Sequence, residues 1–151
     1  MDWISFFDAF FSQRAAELER ILDAGGCREG WLQGEVFLYG RNVSIQTNAS
    51  RRKHDLQCGL HPMIAEIKIC GGDYAAKMRD YIENDVVKLA EAPDRCQRFM
   101  ILVVDTRECS TTLGQWLSSY NPPHKARHER TVSASVLVRI WEVEASVVSN
   151  S

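Results

Sequence analysis

The sequence predicts an α/β fold in which a mixed central β-sheet is flanked by helices. Apolar side chains recur at three-four spacing over residues 3–22, 29–39 and 74–90, the period of helices with one buried face. Two runs of strand length stand among them. "PMIAEIKI" (62–69) is rich in β-branched residues, and "RFMILVVDT" (98–106) is apolar almost throughout, as in a strand covered on both faces. Helices and strands interleaved in this order fit such a sheet best.

The first helix is expected over residues 3–22, with Trp3, Phe6, Phe7, Phe10, Phe11, Leu18, Ile21 and Leu22 on one heavily aromatic face, and Gly25 and Gly26 stopping it. That face is expected to pack on the protein's own core, with a protein partner or a second copy in a homodimer as the alternative. A second helix is expected over Glu29–Tyr39, ending near Gly40 and Asn42. Trp31, Leu32, Val36 and Tyr39 face inward there, and Glu35 sits on the edge of their stripe, an unusual place for a carboxylate. Short strands follow in "NVSIQT" (42–47) and around Asp55, and then comes 62–69. Gly71 and Gly72 end that strand, and Asp73 caps a long helix of about 74–90 whose inner face is Ala75, Met78, Ile82, Val86 and Leu89. Past Pro93, residues 98–106 form the central strand. "LGQWLSSY" (113–120) reads as a short helix, "NPPHKARHER" (121–130) as a polar basic loop and "SASVLVRIWEVE" (133–144) as a long strand. Residues 147–151 read as a loose tail, which leaves one domain over 1–146 with residues 1–24 as an added amino-terminal helix.

A chain of 151 residues, 45% hydrophobic and 25% charged, has the material for a real core. Its net charge of -2 supplies no global attraction to nucleic acid, so any such contact must come from local patches. Five cysteines without a C-x-x-C pair signal neither a zinc knuckle nor a disulfide framework, and a cytoplasmic setting is expected. Cys58 and Cys70 read as buried small hydrophobes, and His54 and His61, which flank the hairpin, as surface histidines, with a ligand or proton shuttle as the alternative. The amino-terminal stretch lacks a basic lead and is interrupted by charges well before ~18 apolar residues, so neither a signal peptide nor a membrane span is expected.

The chemistry concentrates in "HDLQCGLHPMIAEIK" (54–68). Glu66 and Lys68 are two apart on a strand and so project from one face. A turn centred between Leu60 and His61 pairs Gln57 with Ile64 and brings Asp55 opposite Glu66. Carboxylates so placed repel each other unless something offsets their charge. A divalent cation does so, since Mg²⁺ takes hard oxygen ligands, and the backbone carbonyl of Ile67 can complete its inner shell. Lys68 beside it can orient or deprotonate a water, or neutralise charge on a transition state. The plain alternative is a salt bridge of Lys68 with Asp55 and Glu66 on a solvated face.

A helix carrying Glu35, a strand carrying Asp55, "AEIK" with Glu66, Ile67 and Lys68, then a long helix and a buried strand resemble the PD-(D/E)XK nuclease superfamily over about residues 29–105. The resemblance implies a restriction-endonuclease-like αβββαβ core, Asp55 and Glu66 as metal ligands, Lys68 as the catalytic lysine and Glu35 as an accessory acid acting through water. His54 stands where the superfamily name has Pro. The Gln-x-x-x-Tyr motif of the RecB-like branch is met by "KMRDY", with Lys77 in place of Gln and Tyr81 in register.

The expected function is therefore a Mg²⁺- or Mn²⁺-dependent nuclease acting on nucleic acid, DNA ahead of RNA. A catalytically silent nuclease-fold module used in binding or regulation is the alternative. Arg51, Arg52, Lys53 and Lys77 are the expected phosphate contacts, with Lys125, Arg127, His128 and Arg130 as a further basic group.

Overall fold

The computed structural model describes residues 1–24, 28–47, 54–71, 75–93, 95–109 and 111–146. The glycine stops at 25, 26 and 72, the Asp73 cap, the Arg51–Lys53 cluster and the tail at 147–151 lie outside these residues.

The expected single helix over 3–22 is two helices, α1 (Trp3–Gln13) and α2 (Ala15–Ala24). Asp2 starts α1 by accepting the Ser5 N–H at 3.1 Å. The break falls at Arg14, which stands on the apolar stripe three residues after Phe11 and four before Leu18. A charge cannot follow those residues into the core. The Arg14 N–H is shared between the Phe10 and Phe11 carbonyls at 3.1 and 3.2 Å, and its guanidinium lies 5.8 and 5.9 Å from the Phe10 and Tyr39 ring centres. Trp3, Phe7, Phe10 and Phe11 are at most 1% exposed, so the aromatic face is used within the fold and is not left open for a partner or second copy.

Helix α3 (Arg28–Tyr39) buries Leu32 and Val36. A 3₁₀ turn at Arg41–Val43 and a left-handed Ser44 (φ 62°) take up the first part of the expected strand 42–47, leaving β1 as Ile45–Gln46. There follow β2 (Leu56–Cys58), β3 (Met63–Cys70), α4 (Ala75–Glu91), β4 (Gln97–Asp105), α5 (Thr111–Ser119), β5 (His124–Thr131) and β6 (Val136–Val143). The six-stranded sheet has the order β1-β2-β3-β4-β6-β5 and is mixed: β3 and β4 are parallel, joined across α4, and the other neighbours are antiparallel.

Alternation along β3 separates two cores. Met63, Ala65, Ile67 and Ile69 pack with the residues of α1, α2 and α3. Ile64 and Cys70 pack with Ile82, Val86 and Leu89 of α4 and with Leu113 and Leu117 of α5. The β4 run is buried from Arg98 to Asp105, as its composition predicted. The expected basic loop 121–130 is instead, from His124 on, the edge strand β5. Its side chains are largely exposed, so it lacks the apolar alternation that marks a strand, yet charge is what suits an unpaired sheet edge. Asp8 of α1 ties it down through His128 Nε2 at 3.0 Å and through Arg130. Among the described residues no helix is long and apolar enough to cross a membrane.

Candidate active site

The turn at residues 59–62 sets the register Gln57 with Ile64 and Leu56 with Ala65, as the sequence predicted. Pairing of β2 with β3 ends there, because the chain leaves the sheet at Asp55. Past Ala65 the edge of β3 has no strand beside it among the described residues, and its N–H groups need other acceptors. Two carboxylates supply them. Asp55 Oδ2 accepts the Ile67 N–H at 2.8 Å, and Glu29 Oε1 accepts the Ile69 N–H at 3.2 Å. The Ile67 carbonyl leaves the strand on the same edge as its N–H and so faces this notch.

Glu66 and Lys68 project together toward α4, as their spacing requires. Neither is the other's partner. Glu66 is 2% exposed, with Oε1 taken by His54 Nδ1 at 2.8 Å and by Lys88 Nζ at 2.6 Å. Lys68 Nζ lies 3.0 Å from Asp85 Oδ2. The alternative of a simple salt bridge of Lys68 with Asp55 and Glu66 is thus replaced by two separate pairs, each completed from α4. The expected pairing of Asp55 with Glu66 does not form, since the ladder stops at Leu56 with Ala65, but Asp55 lies near enough to feel the Glu66 charge, while its Oδ1 accepts from Gln33 Nε2 at 3.0 Å.

These contacts set the protonation of the site. Burial, with Glu66 close by, pushes the Asp55 carboxyl up to about 6 against the opposing Ile67 hydrogen bond. Burial works against Glu66 as well, but the hydrogen bonds and charges of His54 and Lys88 outweigh it and hold Glu66 below its ordinary value. For Lys68, burial is overcome by Asp85, with Glu29 and Asp55 behind it, so the ammonium is held above its usual range. Asp85 itself is raised by burial, and Glu66 adds to that against Lys68. Because Asp85 feels a second carboxylate, the ammonium is the firmer charge of the pair.

A consequence for stability follows. Folded Asp55 keeps its proton up to about pH 6, whereas an unfolded aspartate releases it near 3.8, so its contribution is whole below 3.8 and is lost as pH rises through 6. Asn escapes that loss. In chelator-treated buffer, Asp55→Asn should match the wild type near pH 4 and exceed it by about 1–2 kcal/mol at pH 7.5, a figure reduced for the partial exposure of the group. Urea denaturation at the two pH values measures it, and a pH-independent difference would refute it.

Glu35 does not reach this site. Its Oε2 pairs with Arg14 Nε at 3.1 Å, on the α1 side of the sheet. The helix carboxylate at the notch is Glu29, one turn before Leu32 and two before Val36 on the inward face, with Gln33 beside it. That shared face was the available signal, since Glu35 lies off it. His54, expected at the surface, is 1% exposed, and its Nε2 has no partner among the described residues. Asp85 and Lys88 were also missed. They stand one turn apart on α4, beside inward Ile82, Val86 and Leu89. Lys77 is exposed and does not line the cleft next to Lys68, which takes Met78, Tyr81, Asn84 and Asp85 from α4. In β5, Arg127 pairs with Glu129, and His128 and Arg130 with Asp8, so that basic group is partly neutralised.

The site is therefore an acid-rich notch. Four carboxylates, Glu29, Asp55, Glu66 and Asp85, stand against the ammoniums of Lys68 and Lys88, with His54 behind Glu66. Comparison with protein-family models, with curated proteins and with solved structures found no match for this chain.

Proposed function

We propose that this chain is a Mg²⁺-dependent nuclease, with Mn²⁺ able to substitute, hydrolysing phosphodiester bonds of nucleic acid and DNA ahead of RNA. The observation that carries this reading is the unpaired edge of β3, where Asp55 Oδ2 accepts the Ile67 N–H at 2.8 Å between Glu66 and Lys68 of the same strand. The succession α3, β1, β2, β3, α4, β4 fits the αβββαβ core that the resemblance implies.

The donor set suits a small hard cation. Four carboxylates against two ammoniums leave negative charge that a divalent ion would offset. Among the described residues no group of three or more His, Cys, Asp or Glu side chains is placed to hold a metal ion. Mg²⁺ asks for less, being ordinarily held by one or two carboxylates with waters and substrate phosphate in the remaining positions. Asp55 and Glu66 would hold it, with the Ile67 carbonyl. His54 and Lys88 both engage Oε1 of Glu66 and so fix that carboxylate's orientation. When bound, the ion supplies a more acidic water and charge for the phosphoryl oxygens. Lys68, kept cationic by Asp85, would orient the attacking water, whose proton would pass to bulk solvent, and would neutralise charge on the transition state. Glu29 takes the accessory place first expected of Glu35.

One observation favours the second reading, a silent binding or regulatory module: Glu66 and Lys68 each already have a partner of opposite charge. Titration calorimetry with Mn²⁺ and Mg²⁺, paired with cleavage of single- and double-stranded DNA and RNA, separates the two. The wild type should bind metal and cut, and the double variant Asp55→Asn, Glu66→Gln should do neither while keeping its circular dichroism. No heat at millimolar metal and no cleavage would overturn the proposal in favour of the silent module.

A further inference from the structure

Next to Lys68 lies a cleft of about 490 Å³, lined among the described residues by Glu29, Lys68, Met78, Tyr81, Asn84 and Asp85. It runs from the open edge of β3 to the outer part of α4, and its chemistry is mixed in a particular way. Met78 is an apolar wall. Tyr81 presents a ring that is 49% exposed, although large aromatic side chains ordinarily pack away from water. Glu29 and Asp85 are acceptors, and Asn84 carries both an acceptor and a donor. Glu29 uses one oxygen on Ile69. The only cation lining the cleft among the described residues, Lys68, is held by Asp85.

Away from its Lys68 end such a cleft does not suit a phosphate, because Glu29 and Asp85 put two carboxylates on the space. It suits a flat, uncharged ring with N–H donors on its edge. We propose that this cleft receives one unstacked base of the substrate, seated against Tyr81 and Met78 with its exocyclic amine donated to Glu29 or Asp85, so that the enzyme acts on single-stranded or locally opened nucleic acid. The inference rests on the nuclease reading, which puts the scissile phosphate at the notch beside Lys68. The cleft shares Glu29 and Lys68 with that notch, so the base would belong to a nucleotide at or next to the scissile bond. A base inside a duplex is stacked on both faces and cannot offer one to Tyr81 without being drawn out. A single strand offers its bases directly, and aromatic stacking is the common means of holding them. An edge lined by carboxylates takes amino-bearing bases, as carboxylates do with the cytosine N4 amine, and disfavours thymine and uracil, whose single N3–H is flanked by two carbonyls that a carboxylate repels.

The test uses the full chain with Ca²⁺ in place of Mg²⁺, so that binding is read apart from cleavage, and fluorescein-labelled dC12, dT12 and a hairpin duplex as probes, followed by anisotropy. Wild type should bind single strands more tightly than the duplex and dC12 more tightly than dT12. Tyr81→Ala should weaken the single strands by about 10-fold and leave the duplex unchanged, while Tyr81→Phe retains wild-type affinity. Tyr81 is half exposed, so the variants should fold, as circular dichroism would verify. Equal losses on single strand and duplex, or no preference between them in the wild type, would overturn the proposal. The nuclease reading fails separately: with Mg²⁺ or Mn²⁺ and no cleavage of any probe, a Tyr81-dependent preference for single strands would leave the base site standing and remove the catalytic role.

Discussion

Replacing Lys68 with Met is expected to lower metal-dependent cleavage by about 10³-fold, with metal binding by calorimetry nearly unchanged. The reason lies in what surrounds the ammonium. Asp85 at 3.0 Å keeps it charged, so under the proposed nuclease reading its contribution would be a fixed cation beside the reacting phosphate, worth most where charge accumulates in the transition state. Removing it should therefore depress kcat far more than it raises KM. The substitution also leaves Asp85 half-buried without its cation, which should cost about 1–3 kcal/mol of stability. A companion variant, Lys68→Met with Asp85→Asn, removes that orphaned charge. It should regain most of the lost stability and none of the lost rate. Recovery of cleavage in the double variant would show that Lys68 acts only through the fold, and the catalytic assignment would fall.

The second large effect is on stability. Phe7→Ala should destabilise the protein by about 3–5 kcal/mol, a large part of the ~5–15 kcal/mol that a domain of this kind possesses. Phe7 is fully buried and stands at the junction of α1 and the sheet, edge-on to Phe99 of β4 with ring centres 5.8 Å apart and in contact with Trp3 and Phe6. Truncation leaves a cavity lined by rings that cannot collapse into it. Urea denaturation followed by tryptophan fluorescence gives the value, and a loss below about 1 kcal/mol would mean that α1 is not docked on β4 as described.

How far the site was legible depended on how local its determinants were. The pairing of Gln57 with Ile64 and the shared face of Glu66 and Lys68 follow from a short turn and the period of two, both written in fifteen adjacent residues, whereas the expected pairing of Asp55 with Glu66 fails because the chain leaves the sheet at Asp55 and its carboxylate turns to the Ile67 N–H. The choice between Glu29 and Glu35 was not local. Both lie on α3, and which one meets β3 depends on how the helix is rotated against the sheet. Leu32 and Val36 set that rotation, and Arg14, from a different helix, claims Glu35. Asp85 and Lys88 were hidden for the same reason: charged residues on a long helix usually meet solvent, and only the parallel crossover from β3 through α4 to β4 lays this part of α4 over Glu66 and Lys68. His54 was misjudged as a surface residue because nothing near it in sequence reveals that Glu66 would bury beside it.

The sequence by itself determined the α/β class, the place of β4 in the interior and the hairpin register that pairs Gln57 with Ile64, because periodicity and turn length act over a few residues. Only the tertiary structure decided which charges pair, that Arg14 breaks the first helix, that the basic stretch after Pro123 becomes the edge strand β5, and that Glu29, not Glu35, completes the notch. Those outcomes depend on which elements lie against each other, and electrostatic partners are chosen by distance in space and by burial, neither of which is encoded in spacing along the chain.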